Sequence, residues 1–174
     1  MFRSSRRAAA LLLCLSLLAL SAAGCNYGLT TAGGFPPDVK TIFIAPLDNR
    51  TVKFELNEQV ARELNERLPR ALGVRLAGED VADAVVRGEI TGYSDVAQNY
   101  RPGDQGAVEV LQHQVQVSMS LRIVDVKRNA YIWESTSISG RGEYRPDTQT
   151  DEVARLTAVR SLIQQIIDGA QSQW

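Results

Sequence analysis

The stretch QVQVSMSLRI, residues 114–123, decides the fold of this chain. Apolar and polar residues alternate through all ten positions, so every second side chain points to the same face of a β-strand. A strand of this kind has one face in a core and the other in water. We therefore predict a sheet that is covered on one side only. The apolar positions are Val115, Val117, Met119, Leu121 and Ile123.

The segments around this strand predict further strands. TIFIAP at 41–46 is a short β-branched and aromatic run. ADAVVRGEITGY at 82–93 alternates, which predicts a core face with Val86 and Ile90 and a polar face with Arg87 and Tyr93. RPGDQG at 101–106 has the composition of a turn. DVKRNA at 125–130 predicts a hairpin that leads into a last strand, YIWESTSISG, at 131–140.

Two segments have helical periodicity. One carries leucine or valine every fourth residue from Leu56 to Leu72, which predicts an amphipathic helix with one buried stripe. The other begins near Thr150 or Asp151, where acidic residues suit the positive end of a helix dipole. Its apolar stripe is Val153, Leu156, Val159, Leu162, Ile163, Ile166, Ile167 and Ala170.

The order of elements is β-α-β-β-β-α, which predicts an α+β fold. Two helices on one face of a roughly four-stranded mixed sheet would bury both helical stripes and the apolar strand faces, giving a two-layer sandwich. The other face of the sheet stays polar. That face is either solvated or a surface for a partner.

The N-terminus predicts export and lipidation. Three arginines precede an apolar run, and small residues lead to Cys25, the anatomy of a signal peptide over residues 1–24. The run is too short to span a bilayer, which needs about 20 residues. Ala22-Ala23-Gly24-Cys25 resembles a lipoprotein cleavage site, so Cys25 is the predicted acylated N-terminus; the alternative is a plain secretory signal. Residues 25–40 form a short leash, and 41–174 a single domain.

Composition excludes several classes of function. Removal of residues 1–24 leaves 16 basic and 20 acidic residues, a net charge of −4, which argues against nucleic-acid binding. Acylation of Cys25 would leave no free thiol, and His113 is the only histidine, so we predict no metal, no cofactor and no catalytic triad. Glu79, Asp80 and Asp83 cluster before a strand, where a solvated turn explains them better than catalysis. We predict a protein that is not an enzyme.

The chain resembles a known family along its whole mature length. The lipidation site, the leash, TIFIAPLDNRT before a helix, DAVVRGEITGY, LRIVDVKRNAYIWE and the closing helix are similar, in order, to the lipopolysaccharide-assembly lipoproteins of the LptE family. The resemblance implies a lipid-anchored protein of the outer membrane, on its periplasmic side or in a barrel lumen. It also implies that the protein plugs an LptD-like β-barrel, helps it assemble, and binds lipopolysaccharide.

Two other functions stay open. One is activation of a peptidoglycan synthase by a periplasmic lipoprotein, for which a protein must reach across the periplasm on a long leash; fifteen residues after Cys25 are short for this. The other is a carboxylate-based enzyme.

Lipopolysaccharide carries phosphates, so its ligands should include local cations. Lys127 and Arg128 lie at the predicted hairpin tip, and Arg141 and Arg145 flank the loop before the last helix. These four residues are the predicted ligand contacts, with a role in solubility as the alternative.

Overall fold

The computed structural model describes residues 35–102 and 108–172. The predicted signal peptide 1–24, the acylation site Cys25 and most of the leash lie outside these residues. Phe35 and Val39 are buried in the hydrophobic core, so the packed domain includes the last residues of the segment predicted as leash.

The described chain contains six strands and two α-helices. A short 3-10 helix, Glu79–Val81, precedes the fourth strand. In chain order the elements are β1 Thr41–Ile44, β2 Asp48–Asn49, α1 Glu55–Leu72, β3 Arg75–Leu76, β4 Ala84–Pro102, β5 Val108–Asp125, β6 Ala130–Tyr144 and α2 Asp151–Ser172.

The strands form one mixed sheet in the order β3-β1-β4-β5-β6, with β2 paired to β4. β1 runs parallel to β3 and β4, whereas β4, β5 and β6 are antiparallel. The predicted α+β architecture is confirmed. The sheet has six strands rather than about four because β2 and β3, of two residues each, were too short to produce a periodic pattern.

Both helices cover the same face of the sheet. The leucine and valine positions of α1 are buried as predicted: Leu56, Val60, Leu64, Leu68 and Leu72. α2 packs mainly on β6 and β5. Its contact face differs from the prediction, since Val153 is 47% exposed whereas Ala154 and Ala158 are fully buried. The small alanines allow the helix backbone to approach β6 at Gly140 and Gly142.

A register shift in β4 changes which side chains reach the core. The pairing of Ile90 with Met119 is followed by Gly92 with Ser118, which leaves Thr91 as an extra residue. A bulge of this kind reverses the alternation beyond it. Tyr93 therefore pairs with the buried Val117 and packs against the core, and its predicted place on the polar face was wrong.

Candidate functional site

The face of the sheet opposite the helices, here called the open face, is the candidate site. Its side chains form rows because the strands pair in register. One such row contains Arg87 of β4, Arg122 of β5 and Glu134 of β6, which are consecutive cross-strand partners. These residues line a shallow depression of about 320 Å³.

The two arginines bring like charges together. Directly opposed like charges destabilise a sheet unless counter-charges are near. Arg87 has one such partner, since its guanidinium lies 3.6 Å from the Glu79 carboxylate. The Arg122 side chain makes no hydrogen bond or ion pair within residues 35–102 and 108–172. Arg122 is therefore available to an anionic group, and a guanidinium offers a planar set of donors that suits phosphate or carboxylate.

An apolar row lies beside the arginines. Phe43 pairs with Val85, Val85 with Val124, and Val124 with Tyr131, so four apolar side chains cross the open face from β1 to β6. Val85 is 7% exposed and Tyr131 is 59% exposed. The open face thus places an apolar strip next to a pair of cations, an arrangement that suits an amphiphile with an anionic head group.

The four cations predicted from the sequence lie apart from this row and in two places. Lys127 and Arg128 are in the β5–β6 turn, where Lys127 Nζ is 2.6 Å from Asp83 and an Arg128 nitrogen is 2.7 Å from Asp38. These two residues hold the turn against the start of β1. Their involvement in fixed ion pairs leaves them less available to a ligand.

Arg141 and Arg145 lie near the other end of β6. Arg141 Nε donates to Gln116 at 3.1 Å, and Arg145 lies 3.7 Å from Asp147. At about 3.3 Å per residue, Arg141 is roughly 40 Å along the strand from the β5–β6 turn. The structure therefore does not unite the four residues in one site, and their contact with a ligand remains a prediction.

The acidic cluster before β4 does not form a pair of facing carboxylates. Asp83 accepts hydrogen bonds from Lys127 Nζ, from the backbone N–H groups of Lys40 and Thr41, and from the Thr41 hydroxyl. These donors, Lys127 first, hold the pKa of Asp83 well below its usual range. Glu79 is directed toward Arg87 instead. Through these hydrogen bonds Asp83, just before β4, joins the start of β1 to the β5–β6 turn.

His113 lies in a small polar cluster on the helix side of the sheet. Its Nδ1 is 2.8 Å from Asp95 Oδ1, and its ring lies 5.0 Å from that of Tyr144. The Tyr144 hydroxyl donates to Asp95 Oδ2 at 3.0 Å. Burial, with this hydrogen bond, raises the pKa of Tyr144 to about 12. The histidine is satisfied by neighbours of its own sheet, in agreement with a structural role.

Sequence reasoning assigned Arg87 and Arg122 to polar strand faces but did not bring them together. Counting outward from the turn predicted at 101–106 places Arg87 opposite Ser120, so the observed pairing with Arg122 did not follow from the sequence. Within the described part of the chain, no group of three or more His, Cys, Asp or Glu is arranged to hold a metal. Nor does that part contain a helix long and apolar enough to cross a membrane.

Comparison with known proteins gives one match by sequence family. The profile of the family described as LptE, lipopolysaccharide-assembly, matches residues 39–170. No curated protein matches the chain significantly.

Solved structures are similar at low identity. Uncharacterized lipoprotein B from Nitrosomonas europaea has a TM-score of 0.50 at 10% identity, covering 77% of this chain and 83% of that one. A PelC dodecamer from Paraburkholderia phytofirmans has a TM-score of 0.49 at 15% identity, covering 82% and 95%. A minor lipoprotein from Acinetobacter baumannii has a TM-score of 0.43 at 16% identity, covering 77% and 92%. At 10% identity, the likeness to uncharacterized lipoprotein B concerns the fold alone.

Proposed function

This chain belongs to the LptE family of lipopolysaccharide-assembly proteins, and on that premise we propose that it is a lipid-anchored plug of an outer-membrane β-barrel. Its role is non-enzymatic: it helps an LptD-like barrel to assemble and assists delivery of lipopolysaccharide to the outer leaflet. The observation that carries the proposal is the family match over residues 39–170, which spans nearly the whole described domain.

The open face supports a position inside a barrel. The lumen of a transmembrane barrel is polar, so a plug needs a rigid, hydrogen-bonding exterior. β4, β5 and β6 contain 19, 18 and 15 residues, and polar side chains follow their open faces beyond the arginine row. Among them, Gln112 donates to Glu143, and Arg141 donates to Gln116. Cross-strand bonds of this kind fix a polar surface before a partner binds.

Affinity purification from detergent-solubilised membranes tests the barrel partner. We expect the acylated protein to recover an outer-membrane β-barrel in about equal amount. Recovery of a peptidoglycan synthase without a barrel would instead favour the alternative function. A short leash speaks against that alternative, because such an activator must span the periplasm.

The lipopolysaccharide contact belongs, in this proposal, to the arginine row. Arg122 can pair with a phosphate group, and Arg87 can join it by exchanging its 3.6 Å contact with Glu79 for the ligand, while the acyl part of the ligand covers the neighbouring apolar row. Replacing both by glutamine removes the charge and leaves a shorter polar side chain at each position. Because a hydrogen bond to a charged group contributes about 1.5–3 kcal/mol, we expect the loss of even one of these contacts to lower affinity about tenfold or more at low salt. The salt dependence of binding should also flatten.

Two controls make this binding test specific. Arg62→Gln removes an exposed arginine from α1, on the other side of the molecule, and should leave affinity unchanged. Serine at all four of Lys127, Arg128, Arg141 and Arg145 tests the residues predicted from sequence. If that variant loses affinity and the double glutamine variant retains it, the ligand contacts lie at the strand ends rather than on the arginine row.

A further inference from the structure

The chain enters the domain at an end that is tied together by Asp83. The Asp83 carboxylate accepts from the backbone N–H groups of Lys40 and Thr41, at the start of β1. The backbone carbonyl of Asp83 accepts from the N–H of Val126 at 2.9 Å. Arg128, in the same turn as Val126, pairs with Asp38. We call this end of the domain, residues 38–41, 75–84 and 125–129, the entry end.

The entry end exposes apolar side chains. Val81 is 73% exposed, Val126 is 51% exposed and Leu76 is 50% exposed. Val126 donates its N–H to the backbone carbonyl of Asp83, and Val81 lies two residues before Asp83. Three apolar side chains around the point of chain entry need no partner for folding, because the core is complete without them. Their exposure leaves them available to an apolar environment outside the domain.

We propose that the entry end docks on the surface of the bilayer that holds the acylated Cys25, with Val81, Val126 and Leu76 inserted among the lipid head groups. This orientation rests on the proposed lipid anchor and concerns the protein before it binds its barrel. The strands then stand away from the bilayer, and the β4–β5 hairpin is directed away from the bilayer surface.

The length of the leash favours this end over the other. Val52, Phe54 and Val153 are also exposed, but they lie at the opposite end of α1, whose 18 residues measure about 27 Å. Phe35 lies ten positions after Cys25 in the sequence. A relaxed chain of that length spans about 18 Å, and a fully extended one about 35 Å. Docking of the far end would therefore require a nearly stretched leash, whereas docking of the entry end leaves it relaxed.

Charge does not supply the attraction. The cations of the entry end are Lys40, Arg75, Lys127 and Arg128, and its acids are Asp38, Glu79, Asp80, Asp83 and Asp125. Lys127 and Arg128 are paired with acids of this set. Since the surface has no excess of positive charge, docking depends on the apolar side chains. It should occur on neutral lipid and persist at high salt.

The test uses the full acylated protein, purified without its barrel, in phosphatidylcholine vesicles that contain a lipid with a shallow nitroxide quencher. A single cysteine is introduced by Asp80→Cys at the entry end or by Glu152→Cys at the far end, both exposed acidic positions, and carries a fluorescent label. Cys14 leaves with the signal peptide and Cys25 is blocked by acylation, so no second thiol competes.

We expect quenching at position 80 and little at position 152, independent of salt. Adding Val81→Ser and Val126→Ser to Asp80→Cys should lower the ratio of docked to undocked protein about tenfold, because two apolar side chains no longer leave water. The matched pair Val52→Ser and Phe54→Ser should have no effect.

Equal quenching at both positions, or no response to the two serines at the entry end, overturns the docking while leaving the lipid anchor intact. Docking that is lost at high salt also overturns it, in favour of electrostatic adsorption. A mature mass without acyl chains refutes the anchor of the proposed function, and this orientation with it.

Discussion

Alanine at Gly140 should separate helix α2 from the sheet. Gly140 lies on the core face of β6, opposite Val117 of β5. A Cβ atom built on it would lie 1.9 Å from the carbonyl oxygen of Ala158, 2.6 Å from the backbone nitrogen of Leu162 and 2.8 Å from the Leu162 Cβ. Two of these three atoms belong to the helix backbone, so no side-chain rotation can relieve the contact. The helix must move outward by more than about 1 Å to restore a normal separation.

The cost follows from what moves with the helix. Ala154, Ala158 and Leu162 are fully buried against the sheet, and a gap of this size forfeits a quarter to a half of each dispersion contact across it. Overpacking of a core costs about 1–3 kcal/mol, and an obstacle made of backbone belongs at the upper end. We expect Gly140→Ala to reduce the free energy of unfolding by about 3 kcal/mol. That loss corresponds to a fall in Tm of about 10 °C for a domain of this size.

Urea denaturation and thermal unfolding, both followed by circular dichroism, measure the effect. Gly92→Ala is the matched control, since it lies in β4 of the same sheet and its new Cβ would meet only Ser118, at 3.6 Å. That substitution should be neutral or stabilise by about 0.5 kcal/mol, through the smaller freedom of the unfolded chain. A Gly140→Ala protein within about 1 kcal/mol of the Gly92→Ala protein would refute the close approach of helix and strand.

Further predictions concern single polar groups. Asp83 has a folded-state pKa below its ordinary value of about 3.9, so its stabilisation is present above that pH and is lost as the pH falls through the folded pKa. Asp83→Asn should therefore destabilise the protein most at neutral pH, with the difference narrowing below about pH 4 in urea titrations; a constant difference would contradict this. The buried Tyr93 hydroxyl lies near Arg155 but makes no well-formed hydrogen bond among the described residues, so Tyr93→Phe should be neutral or stabilise by about 1 kcal/mol in the same assay. Asn49 holds the loop before α1 by accepting from the N–H and the hydroxyl of Thr51 and by donating to the Lys53 carbonyl, so Asn49→Ala should cost about 1–2 kcal/mol, and an unchanged midpoint would assign that loop no role in stability.

Local periodicity was sufficient for the long strands, for both helices and for the layers, but not for the two-residue strands β2 and β3. The alternation at 114–123 and the four-residue spacing from Leu56 to Leu72 each occur within one element, and burial in the structure follows both. The hairpin at 125–130 also lies in one short segment and connects β5 to β6 as predicted. These features depend on neighbours in the chain, so the sequence alone determines them.

Tertiary structure decided the features that depend on register and on the approach of distant elements. The bulge at Thr91 turned Tyr93 into the core, because one extra residue reverses the faces of a strand and leaves no periodic trace of its own. The pairing of Arg87 with Arg122, and the capture of Lys127 by Asp83, join residues that are 35 and 44 positions apart. Gly140 is the last residue of the strand predicted at 131–140, and nothing in the sequence shows that the α2 backbone packs against it and against Gly142. Such contacts depend on the packing of whole elements. The register of the strands determines which side chains meet across the sheet, and the position of the helix determines which meet between the layers.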